Sequence, residues 1–204
     1  DFDPELRGHL EAQIANAADE LAYSAHDLDD GLHSGLISTT QLKDLALWKN
    51  LIKSVGWTGG DLSELERKRI IRRMIGIEVR DLIETTDQKI QESGVSSVVE
   101  LQKLPNNVIS FSTELGEKNR ELKDFLFKNL YQNYRVIRMQ VKAEKILSDL
   151  FNAYQKDPLI MPSHIQLGIK EKGLERSICD YIAGMTDRFA IDEHQKLFDP
   201  THRP

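Results

Sequence analysis

The sequence predicts an all-α protein, and three observations predict it. Apolar residues recur three and four positions apart through almost every segment, the period of helices with one buried face. Helix-start patterns and glycine stops punctuate the chain, as at Ser38-Thr39-Thr40-Gln41 and at Gly94. No internal repeat or low-complexity tract interrupts this pattern, and no sheet of consequence is expected.

The elements follow in order. A first helix starts at Asp3-Pro4 or near Gly8-His9 and stops at Gly31 or Gly35. Its apolar stripe is Ile14, Ala18, Leu21, Ala25, Leu28 and Leu32. The Ser38 capping box opens a second helix that runs to Gly56. Trp57-Thr58-Gly59-Gly60 is a turn, and Asp61 with Glu64 caps a long third helix to Ser93. Gly76 inside it costs roughly 1 kcal/mol relative to alanine, so close packing or a ligand's approach is expected there. A short helix over 98–104 precedes the Pro105-Asn106-Asn107 loop. Ser112 or Thr113 opens a helix through Tyr131, and another covers 138–154, stopping before Asp157-Pro158. Tyr134-Arg135-Val136-Ile137 reads as a bend or short extended piece, and 159–173 as irregular. Helices over 174–189 and 192–197 finish the chain.

Composition narrows the function classes. With 204 residues, 40% hydrophobic and 29% charged, the chain can build a real core and is not a disordered tract. A net charge of −6 argues against nucleic acid as the partner of the whole surface. No apolar run approaches the ~20 residues of a membrane span, and no signal peptide opens the chain. Cys179 is the single cysteine, which excludes an internal disulfide and fits a reducing, cytoplasmic setting; it reads as a small buried hydrophobe. The sequence opens on Asp1-Phe2-Asp3 without methionine, as a piece of a longer protein would.

The chemistry concentrates in the first helix. Asp19, Tyr23, Asp27 and Asp30 share one face beside the apolar stripe, because residues four apart lie nearly above one another. Such a half-buried stripe costs stability unless something cationic or hydrogen-bonding meets it. A metal ion and a sugar-phosphate ligand are expected. Asp19 is a candidate ligand for a hard divalent ion, against the alternative of an acid on a solvated face. His26 flanks the stripe as a packing or pocket-rim histidine.

Arg67-Lys68-Arg69-Ile70-Ile71-Arg72-Arg73 is the second constellation. Arg69, Arg72 and Arg73 form a cluster able to hold phosphate oxygens through guanidinium forks. The alternative is a solvated basic face paired with Glu64, Glu66 and Glu78. A nucleic-acid contact is the third reading, without the interleaved aromatics that support it. Ile178, Ile182, Met185 and Phe189 read as core, Asp187-Arg188 as a structural pair or cap, and the remaining histidines show no ligand spacing.

The run from Glu11 to Asn16, with Ala18-Asp19-Glu20-Leu21-Ala22-Tyr23 and His26-Asp27-Leu28-Asp29-Asp30-Gly31-Leu32, closely resembles the HD-superfamily deoxynucleoside triphosphate triphosphohydrolases, the dGTPase-like proteins. Arg72-Arg73-Met74-Ile75-Gly76 and the run from Asp180 to Arg188 are similar to later blocks of the same bacterial branch. The resemblance implies splitting of a dNTP into deoxynucleoside and triphosphate at a metal held by two histidines and two aspartates. It implies that Asp19 is the last of those ligands and that Tyr23 and Asp27 recognise the deoxyribose and its 3′-hydroxyl. Arg69, Arg72 and Arg73 would supply charge for the triphosphate. The resemblance implies magnesium, manganese or iron as the divalent ion of the intact enzyme. Three of the four ligands have no counterpart in this sequence, so the chain resembles the C-terminal portion of the enzyme, with the upstream half as its partner. By itself it is expected to bind metal poorly and not to turn over dNTP.

On this reading residues 1–60 end the HD catalytic core and residues 61–204 form the associated helical region. Homo-oligomers and some exposed apolar surface are expected. The competing reading is a non-catalytic helical interaction or assembly module.

Overall fold

A computed structural model describes residues 5–202, and every regular element in them is helical. In chain order these are α1 (Leu10–His33), α2 (Thr39–Leu42), α3 (Ala46–Val55), α4 (Glu64–Ser93), α5 (Val98–Gln102), α6 (Thr113–Leu126), α7 (Tyr134–Lys156), α8 (Ser163–Lys172), α9 (Leu174–Ala183) and α10 (Asp187–Phe198). A π-helical turn, Phe127–Tyr131, extends α6, and a 3₁₀ turn, Pro158–Ile160, follows α7. No helix among the described residues is long and apolar enough to cross a membrane.

The chain divides into two compact units between Asn133 and Tyr134. The first has a core of Leu28, Leu42, Leu51, Ile70, Met74, Leu122 and Leu126, contributed by α1 to α4 and α6. The second is built around Leu150, Tyr154, Met161, Ile178 and Ala190. The loop after Gly60 lies inside the first unit, where α4 packs on α1 and α3.

Several elements differ from the sequence-based expectation, some for local and some for tertiary reasons. Of the two starts expected for α1, Asp3-Pro4 falls outside the described residues, and the helix begins after His9, in agreement with the Gly8-His9 alternative. Of the two expected stops, Gly31 is buried inside α1, and the helix ends at His33 just before Gly35, which has a positive φ of 69°. The helix expected from Ser38 to Gly56 breaks at Leu45, whose extended backbone lets Leu42, Leu45, Leu47 and Trp48 all reach the core. The new start is capped from a distance: the Glu121 carboxylate on α6 accepts the Ala46 N–H at 2.9 Å.

The cap of α4 is Ser63 with Glu66, not Asp61 with Glu64. Glu66 Oε2 accepts the Ser63 N–H at 2.9 Å, and Ser63 Oγ accepts the Glu66 N–H at 3.3 Å. Tyr134 to Ile137 form the first turn of α7 rather than a bend. Their β-branched members disfavour a helix by only tenths of a kcal/mol each, which a 23-residue amphipathic helix overrides. The stretch expected to be irregular contains α8, because Ile165 and Ile169, four apart, dock on the second core. Finally, the helix expected over 174–189 stops at Gly184, and Thr186 caps α10 through the Phe189 N–H at 3.3 Å.

Candidate functional site

α1 is continuous for 24 residues, so Asp19, Tyr23, Asp27 and Asp30 do lie along one side of one helix. Leu21, Ser24, Ala25 and Leu28 are its buried side. Asp19 is exposed, Tyr23 is 63% exposed and Asp27 is half-buried. The expected half-burial therefore holds for Asp27 and not for Asp19 or Tyr23 within this chain. Ile14, at the N-terminal end of the apolar stripe, is also exposed, so only the stripe's C-terminal part packs on this chain's own core.

The side that bears Asp27 is met by α6 and its π turn. The Tyr131 hydroxyl donates a hydrogen bond to Asp27 Oδ2, and the Lys123 ammonium pairs with the Glu20 carboxylate. That bond, partial burial and the negative charge of Asp27 push the Tyr131 phenol up to about 12, so it stays protonated as a donor. Tyr23 is close enough to Tyr131 to add to that shift. A carboxylate is thus held by one phenol with a second phenol alongside, on a surface open to a ligand.

The basic run does not act as one patch. Arg67 is buried and forms an ion pair with Asp29 on α1, also donating to the Asp29 carbonyl at 3.3 Å. Lys68 pairs with Glu64 at 2.5 Å along the helix. Arg73 Nε donates to Ser54 Oγ on α3 at 3.3 Å. Arg69 and Arg72 are exposed, and among the described residues neither carries a hydrogen bond or an ion pair within 4 Å. No side-chain bond links these arginines to Asp19, Tyr23 or Asp27. Of the carboxylates expected to neutralise the run, only Glu64 does; Glu66 caps its own helix, and Glu78 is sealed in the core.

The divalent ion that the family resemblance implies does not fit this chain's own residues. Among the described residues no group of three or more His, Cys, Asp or Glu could hold an ion. Asp19 offers a single exposed carboxylate, and one oxygen ligand pair does not make a hard-cation site.

Tyr131, Arg67 and Glu78 are what the residue pattern did not reveal. Tyr131 acts across 104 positions of sequence, and no local signal marks such a partner. Arg67 was visible only as one cation among five. Glu78 sits where the helical period places a core residue, four after Met74, which is the one sequence cue to its burial.

Residues 109–196 match the model of the phosphohydrolase-associated domain. Over 203 residues, 99% of its length, the chain is 44% identical to a deoxyguanosinetriphosphate triphosphohydrolase-like protein of Geobacter metallireducens. It is 44% identical over 204 residues to the protein of that name in Geobacter sulfurreducens, and 40% identical over 195 residues to that of Deinococcus deserti. It covers 53%, 53% and 51% of those proteins, so the chain spans about half the length of the curated relatives it matches. A phosphohydrolase-associated region, together with this likeness along nearly the whole chain, makes it similar to the C-terminal portion of an HD-superfamily dGTPase-like protein.

Proposed function

We propose that the chain is the C-terminal portion of a metal-dependent dNTP triphosphohydrolase, an enzyme that releases deoxynucleoside and intact triphosphate. The observation that carries this reading is the Asp19–Tyr23–Asp27 face of α1, set in a chain that aligns from end to end with triphosphohydrolase-like relatives. Asp19 contributes one oxygen ligand to a divalent ion whose other ligands come from the part of the protein outside this chain. The exposure of Asp19 and of Tyr23 supports this, since both are open to meet another segment. Asp27 accepts the 3′-hydroxyl of the deoxyribose, and the Tyr23 ring lies against the sugar. Arg69 and Arg72, without a hydrogen bond or ion pair among the described residues, supply fixed positive charge for phosphate oxygens; Arg73 does so from its anchor on Ser54.

The test is Asp19→Ala in the intact protein. Turnover of dNTP should fall by two orders of magnitude or more (~3 kcal/mol of transition-state stabilisation) while the far-ultraviolet helical signal is unchanged. Near-normal turnover by that variant rejects the ligand assignment. The 204-residue chain alone should release no triphosphate from dNTP, and full activity in pure material would reject the proposal that the site needs residues from elsewhere.

A further inference from the structure

Resting on the sugar site just described, we infer that Tyr131 is a positioning residue that sets the enzyme's demand for a 3′-hydroxyl. A carboxylate on a solvated helix turns freely about χ1 and χ2 and offers both oxygens in many directions. Here one of them, Oδ2 of Asp27, is tied by the Tyr131 hydroxyl. The tie leaves Oδ1 as the oxygen presented to an incoming hydroxyl. It removes rotamer freedom before the ligand arrives, so binding does not have to restrict it.

The backbone around Tyr131 supports a built arrangement rather than a chance contact. α1 and the α6 segment run in the same direction here and are joined at two rungs, Lys123 to Glu20 and Tyr131 to Asp27. From the first rung to the second α1 advances seven residues, whereas the partner segment advances eight. Two regular helices would lose register over that distance by one residue, about 100° of rotation and 1.5 Å of rise. The π-helical turn Phe127–Tyr131 absorbs the extra residue and returns the eighth side chain to the Asp27 rung. Such a turn forgoes regular helical bonds, and Tyr131 is the side chain it delivers.

The tyrosine also has the right chemical state. A phenol already titrates near 10, and the bond to Asp27 raises it further, so it donates at any physiological pH and does not compete with substrate as an anion. Its ring is 44% exposed and shares the surface with Tyr23. Two phenols stand beside one tethered carboxylate, a set of groups suited to a small polyol ring bearing one hydroxyl toward Asp27.

The experiment uses the intact protein and compares dGTP with 2′,3′-dideoxyguanosine triphosphate. Tyr131→Phe keeps the ring and removes only the donor. For this variant KM for dGTP should rise about tenfold with kcat changed less than about twofold, the loss of one charge-assisted hydrogen bond. Kinetics on the dideoxy compound should stay at the wild-type value, so the preference between the two falls about tenfold. A tyrosine serving only the fold would lower kcat/KM for both compounds alike and leave the preference intact, which overturns the inference. Asp27→Asn separates the two layers of the argument. If it abolishes the preference while Tyr131→Phe does not, Tyr131 has no positioning role and the sugar site stands. If Asp27→Asn leaves the preference untouched, the sugar site itself fails and the inference falls with it. In the Asp27→Asn background, Tyr131→Phe should add nothing further, since the two act as one unit.

Discussion

Glu78 shows how far a single side chain can depart from what its type suggests. It has no exposed surface, and both its carboxyl oxygens lack a hydrogen-bond partner, as does the neighbouring Asn119 Oδ1. Burial pushes its acid up to about 8 from an ordinary 4.5, against a smaller lowering by Asn119. The folded chain therefore keeps a proton that the unfolded chain releases above about 4.5. Stability is full below that value and is lost as pH rises toward 8, with a limiting slope of about 1.4 kcal/mol per pH unit. Glu78→Gln should flatten this dependence and be the more stable protein at pH 8, read as urea midpoints at pH 5 and pH 8. Arg67 is the opposite case, a buried charge fully engaged by the Asp29 carboxylate and carbonyl. Arg67→Ala leaves Asp29 without its cation and should cost about 3 kcal/mol in chemical denaturation. That outcome would place Arg67 in the fold and separate it from the exposed Arg69 and Arg72.

At the scale of the element, α4 tests the meaning of a mid-helix glycine. Gly76 was expected to mark a close approach, yet a Cβ built there meets nothing within 4 Å, and its φ is not positive. Gly76→Ala should stabilise the 204-residue chain by about 0.5–1 kcal/mol through helix propensity alone, measured by the shift in denaturant midpoint. Gly31 in α1 is the contrary instance. A Cβ there would come within 2.5 Å of Ile37 Cδ1, and Ile37 is locked in the core. Gly31→Ala should destabilise the fold by about 1–3 kcal/mol in the same assay. Two glycines of one sequence thus carry opposite signs, and only their surroundings decide which.

For the whole molecule, the two cores have a consequence for unfolding. Trp48 and Trp57 both belong to the first unit, packed edge to face at 6.2 Å, and the second unit has no tryptophan. Ile178→Ala empties a fully buried site of the second core and should cost that unit about 2–5 kcal/mol. Tryptophan fluorescence should then report an unchanged midpoint while the far-ultraviolet helical signal acquires an earlier step. Coincident shifts in both signals would show one cooperative unit instead of two.

The periodicity, caps and glycine stops of this sequence are local properties, and they were enough for the all-α class, for α1 and α4 almost to the residue, and for the alignment of Asp19, Tyr23 and Asp27 on one helix face. Such features act over one or two turns, so neighbouring residues carry them in full. What the tertiary structure decided acts between distant residues. Glu121 starts α3 from 75 positions away, and α8 becomes a helix because Ile165 and Ile169 find the second core. Arg67 leaves the basic run for Asp29, and Tyr131 is carried onto Asp27 by a turn that no local pattern announces. A charge or a phenol has no preferred partner until packing brings one within reach, which is why the helix face was legible and its keeper was not.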